Sequence, residues 1–113
     1  MVEQTKNNHR SKRIASLLRE KAAEFFRTAA KPYPLITVTR VNISSDQQYA
    51  EIMVTVYPET EETTTVEFLQ RKRGELNDHL KKHTRLGSIP FMKIAVDQQE
   101  KKRQRIDHLT KNL

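Results

Sequence analysis

The chain has 113 residues, of which 35% are hydrophobic, with a mean hydropathy of −0.80 and no cysteine. That length supports one domain with a modest core. The composition excludes disulfides and thiolate metal sites, and no apolar run approaches the roughly 20 residues of a membrane span. The formal charge of +7 and the pI of about 9.9 point to an anionic partner, nucleic acid first among them.

Residues 1–9 are polar and lack the apolar stretch of a signal peptide, so a flexible start and a cytoplasmic location are expected. From Arg10 the pattern turns helical: Ile14, Leu17, Leu18, Ala22, Phe25 and Phe26 recur at spacings of three and four, one apolar stripe. Ser11 is the expected N-cap. The prolines of "KPYP" end the helix near Ala29–Ala30.

"LITVTRVNI", Leu35 to Ile43, reads as a strand. Its apolar positions change parity, Ile36 and Val38 first, then Val41 and Ile43. Either a bulge lies near Thr39–Arg40 or the strand uses both faces. "YAEIMVTVY", Tyr49 to Tyr57, alternates cleanly and pairs with it across the turn "SSDQQ" as a hairpin. Pro58 stops the second strand, and the acidic run that follows suits a helix N-terminus.

The next helical pattern is interrupted. Val66 and Leu69 begin a buried stripe that Leu76 and Leu80 resume, while Gln70 to Gly74 supply nothing apolar. Glycine costs about 1 kcal/mol against alanine inside a helix, so two helices meeting at a kink around Arg73–Gly74 are predicted. A third strand begins at Phe91, with Met92, Ile94 and Val96 on one face. Residues 98–113 form a short helix or remain partly disordered. The order α-β-β-α-kink-α-β specifies a two-layer α+β domain over residues 10–97, with helices on one face of a three-stranded sheet.

Charge is segregated along this order. Residues 1–27 carry a balance of +4, residues 28–70 of −4 and residues 71–85 of +4. The kink holds "RKR", Arg71-Lys72-Arg73, before Gly74. A helix N-terminus there presents backbone N–H groups to a phosphate, the cations add attraction and glycine permits close approach. Lys81, Lys82 and Arg85 continue the charge. Arg10, Lys12 and Arg13 open the first helix, where the helix dipole disfavours cations, which hints at a ligand. These ten residues are the candidate RNA-binding set.

Other polar residues read as structural. His79 and His83 have metal-ligand spacing, but no third ligand is evident. Asp46 caps its own turn, and the Glu59–Glu62 cluster starts a helix. Phe25 and Phe26 belong to the core; Tyr33 and Tyr49 could stack on a base. No P-loop, nucleophile triad or glycine-rich dinucleotide loop is present, so no catalytic residue, cofactor or metal is assigned.

A helix–glycine–helix element before the last strand resembles the type II KH fold, a fold of RNA-binding domains. Lys72-Arg73-Gly74 is similar to the Ala-x-Gly kink of the ribosome-binding factor A family. "RSKRIASLLREKAAEFF" resembles that family's opening helix. "VTRVNISSDQQYAEIMVTV" resembles its hairpin at Ser44, Asp46, Tyr49, Ala50 and Val54. Gly74, Leu80, Arg85, Leu86, Pro90 and Asp97 match its kink-to-strand pattern, and Arg105, Ile106 and Leu109 its closing segment. Lys72 replaces the kink alanine, "KPYP" stands at a "DPR"-type turn, and Asn77 occupies a position usually held by arginine.

The resemblance implies a nonenzymatic assembly factor, monomeric when free. Its partners would be the immature small ribosomal subunit and small-subunit rRNA, near the decoding region. It would assist late maturation, including processing of the rRNA 5′ end, and growth in the cold. No membrane or small-molecule partner is implied. Two alternatives stay open: a generic KH-like RNA-binding protein of translation or RNA decay, and a protein-interaction module whose acidic residues 46–67 engage a basic ribosomal protein.

Overall fold

The computed structural model describes residues 2–30 and 34–111. Helix α1 (Val2–Ala29) leads into strands β1 (Leu35–Ile43) and β2 (Tyr49–Tyr57). A 3₁₀ turn (Glu59–Glu61) enters helix α2 (Glu62–Arg71), followed by α3 (Arg73–His83), β3 (Phe91–Val96) and α4 (Gln98–Lys111). The sheet order is β1-β2-β3, with β1–β2 antiparallel and β2–β3 parallel. Helices α1, α2 and α3 cover one face: α1 packs on β1 and α3, and α2 on β2 and β3.

The bulge resolves the parity of β1. The register shifts between Val38 and Arg40, leaving Thr39 as the extra residue. Val38 pairs with Val54 before the shift and Val41 with Ile52 after it. Directly opposed residues share a face, so Ile36, Val38, Val41 and Ile43 all turn toward the helices. There they join Ala50, Ile52, Val54, Val56, Met92 and Ile94 of the sheet. Leu18, Ala22 and Phe26 of α1, Leu69 of α2, and Leu76 and Leu80 of α3 complete the core. Phe25 packs edge-on against Phe26 with ring centroids 6.2 Å apart, as expected of a core pair.

Asp97 locks the bulge to the last helix. It is 2% exposed. Its carboxylate accepts the Thr39 hydroxyl at 2.6 Å and the amide of Glu100 at 3.0 Å, and Arg40 Nε lies 3.2 Å away. One buried side chain therefore caps α4 and fastens β1. Burial pushes its carboxyl pKa up, but the Thr39 hydroxyl, the Glu100 amide and Arg40 outweigh it and hold the pKa below the ordinary value.

The opening of the chain differs from expectation. The helix begins at Val2, not beside a Ser11 cap, so Val2 to His9 are part of α1. Once a helix exists, each added residue gains a hydrogen bond without a new nucleus, and this stretch contains neither proline nor glycine. The last segment, for which two states were open, is helical from Gln98 to Lys111.

Candidate nucleic-acid interface

The kink is built by a local break in the hydrogen-bond ladder. Lys72 leaves helical geometry, with φ −91° and ψ 8°, and joins α2 to α3. Its own amide bonds back to Phe68 O at 3.2 Å and Leu69 O at 3.0 Å, and its carbonyl receives Leu76 N at 2.9 Å. The amides of Arg73, Gly74 and Glu75 precede that first bond of α3, the positions a helix leaves unpaired. No side chain caps this end. Gly74 is exposed, has no positive φ, and a Cβ placed there would meet nothing within 4 Å. The fold itself therefore does not require glycine at the kink.

The three cations of "RKR" differ in their freedom. Arg71 is exposed. Lys72 reaches Glu75 at 3.4 Å and lies over the Phe68 ring. Arg73 is anchored: it donates to Gln70 O at 3.0 Å and Met92 O at 3.3 Å, and its guanidinium sits 5.0 Å from the centroid of Phe91. Arg73 thereby staples the kink to the start of β3 and keeps its charge at the surface. A groove beside the kink is lined by Arg71, Arg73, Gly74, Asn77 and Phe91, together with Glu75 and Asp78.

The other candidates fall into two groups. Gln47 Nε2 donates to Ser11 Oγ at 3.5 Å, Phe91 N bonds Gln48 O at 2.8 Å, and Arg73 reaches Met92 O. These links tie the Arg10–Arg13 stretch of α1, the hairpin turn, the start of β3 and the kink to one end of the sheet. From that end α3 runs toward the distal half of α1, where His79 meets Phe25 and Glu24, about 21 Å along α1 from Ser11 at helical rise. Gly74 and Lys81 lie about 20° apart around the axis, so they share a face; Lys82 flanks it, and Arg85 stands in the connector. Among the described residues, no ion pair involves Arg71, Lys81, Lys82 or Arg85.

Arg10, Lys12 and Arg13 lie inside α1, because the helix starts at Val2; their placement at an unfavourable dipole end no longer applies. Lys81, Lys82 and His83 occupy the last turn of α3, where positive charge favours the helix on its own. His79 and His83 pack ring on ring at 4.4 Å, and among the described residues no group of three or more His, Cys, Asp or Glu converges as a metal site. Asp46 accepts the Ser44 hydroxyl at 2.6 Å and the Gln48 amide at 3.1 Å, closing its turn as expected; these bonds lower its pKa. Tyr33 lies outside the described residues.

The acidic middle is partly consumed. Lys101 of α4 reaches Glu59 at 2.7 Å and Glu62 at 3.0 Å, and Arg105 reaches Glu59 at 3.1 Å. Two of the six carboxylates proposed for a basic protein partner, Glu59 and Glu62, thus serve to dock α4. Phe91 carries no motif of its own in the sequence, although its alternation with Met92 and Ile94 places an aromatic ring on the outward face.

The family model of ribosome-binding factor A matches residues 10–110. This chain belongs to the ribosome-binding factor A family. It is 26% identical over 115 aligned residues to ribosome-binding factor A of Xanthomonas campestris pv. campestris strain B100, covering 100% of this chain and 87% of that one. Identity to the Thermodesulfovibrio yellowstonii protein is 29% over 106 residues, covering 92% and 90%. The crystal structure of ribosome-binding factor A from Thermus thermophilus superposes with a TM-score of 0.69 at 22% identity, covering 76% of this chain and 93% of that one. A homology model of the Thermus thermophilus factor, fitted into a cryo-electron microscopy map of a 30S complex, gives 0.65 at 22% identity, covering 74% and 91%. The α+β, KH-like architecture expected from the element order is therefore that of the family. Among the described residues no helix is long and apolar enough to cross a membrane.

Proposed function

We propose that this ribosome-binding factor A family member binds the immature small ribosomal subunit in the cytoplasm and assists its late maturation, including processing of the rRNA 5′ end. It acts without catalysis and as a monomer when free. The KH-like domain, residues 10–97, carries the interface. Its RNA-facing set is Arg10, Lys12, Arg13, Arg71, Lys72, Arg73, Gly74, Lys81, Lys82 and Arg85. Phosphate contacts supply affinity and the folded rRNA supplies selectivity.

The observation that carries this reading is the uncapped start of α3, with an exposed Gly74 that the fold does not need, beside cations such as Arg71 that stand outside the ion-pair network. The 30S complex of the Thermus thermophilus relative supports the choice of subunit. The reading through the acidic middle loses ground because Lys101 and Arg105 already occupy Glu59 and Glu62.

Charge reversal tests the site. The exposed set Arg71→Glu, Lys81→Glu and Lys82→Glu is preferable to one including Arg73, whose loss would also unpin β3. The triple variant is expected to keep its circular dichroism and melting temperature and to lose subunit binding by 100-fold or more, about 3 kcal/mol. Unchanged binding by the folded variant would overturn the site.

A further inference from the structure

The outward face of the sheet is divided between its two ends. At one end α4 borders a groove with Leu35, Thr37, Thr55 and Tyr57. At the other, Tyr49 and Phe91 stand side by side in the β2–β3 register. Their ring centroids are 6.3 Å apart in an edge-to-face arrangement, and each residue is 58% exposed. Arg73 lies over Phe91 and fixes it. The kink groove, with Arg71, Gly74 and Asn77, opens directly beside that ring.

We propose that Tyr49 and Phe91 form a stacking platform for an unpaired base of single-stranded RNA, whose phosphate lies against Arg71. This rests on the RNA-binding reading of the kink and deepens it, from general phosphate attraction to recognition of an unstacked nucleotide. Every base has a π-face, so an aromatic platform accepts single strands with little regard to sequence, whereas a paired base is unavailable to it. Charge favours RNA on the kink side: Arg71, which makes no ion pair among the described residues, lines the groove together with Phe91, Arg73 lies over that ring, and the exposed Lys93 follows two residues on in β3. Of the carboxylates in the groove and on the adjoining strand, Glu75 is paired with Lys72 at 3.4 Å and Glu51 stands opposite Lys93, which leaves Asp78 to oppose a phosphate. Asn77 also lines the groove, and an amide side chain can pair with a base edge.

The chain has no tryptophan, so Phe91→Trp gives a single reporter. An oligouridylate is titrated into this variant, following tryptophan emission and the anisotropy of labelled RNA together. Saturable quenching at the concentration where anisotropy rises is the expected result, with no quenching by a duplex of equal length. Phe91→Leu and Tyr49→Leu should each weaken binding about ten-fold without changing the salt slope. Arg71→Gln should instead reduce that slope by about 0.7. Binding without quenching, or full affinity in both leucine variants, overturns the platform and leaves the kink reading standing. Leucine variants that bind the oligonucleotide normally but lose the small subunit would assign the rings to a protein and also overturn it. Failure of the wild-type chain to bind either RNA or the small subunit would overturn the kink reading as well.

Discussion

Gly74 shows what a single residue can be asked to explain. Its backbone has no positive φ, and a side chain there would meet open space. Neither turn geometry nor packing accounts for it; in the proposed function it admits the close approach of an RNA phosphate. Gly74→Ala separates these roles. Alanine is the better helix former, so stability should hold or rise by up to about 1 kcal/mol, read from thermal unfolding. RNA affinity should fall, because the added methyl group stands between the α3 amides and a phosphate. Unchanged affinity would make the glycine incidental to binding.

At the scale of elements, Asp97 joins three pieces that are far apart in sequence: the bulge at Thr39, Arg40 beside it and the first turn of α4. Asp97→Ala removes the acceptor from all of them in a buried place. A loss of about 1–3 kcal/mol is expected, measured as a lower denaturant midpoint at constant m-value. The pH dependence has a definite sign. The folded pKa is below the unfolded one, so this stability is fully present above about pH 4. It is lost as the pH falls through the folded value, and the alanine variant should lack that acid-sensitive component. The joint also marks the limit of what the sequence discloses. The parity change in β1 required either a bulge or two-faced use, and the choice depends on partners in β2 and β3. The kink was legible, because the apolar stripe stops between Leu69 and Leu76. The start of α1 was not, because polar residues 2–9 give no periodic signal and extend the helix only as a continuation. Nor was the docking of α4 legible: it rests on ion pairs between Lys101 and the distant glutamates Glu59 and Glu62.

Across the whole molecule, the charge segregation seen along the chain becomes a division of surface. The kink, the hairpin turn and the Arg10–Arg13 stretch gather at one end of the sheet, and α3 extends the positive surface through Lys81 and Lys82. Two glutamates of the acidic centre, Glu59 and Glu62, are engaged by Lys101 and Arg105 of α4. The candidate cations were readable in sequence because "RKR" and Gly74 interrupt an apolar pattern. Their inequality was not: Arg73 is engaged by carbonyls of Gln70 and Met92, contacts set by the packing of α2 on β3. Co-sedimentation of the intact chain with separated small subunits, large subunits and mature ribosomes, at low and moderate salt, is the most direct test. Binding confined to small subunits and weakening steeply with salt is the predicted result. Equal binding to all three particles, or none to small subunits, would contradict a role in small-subunit maturation.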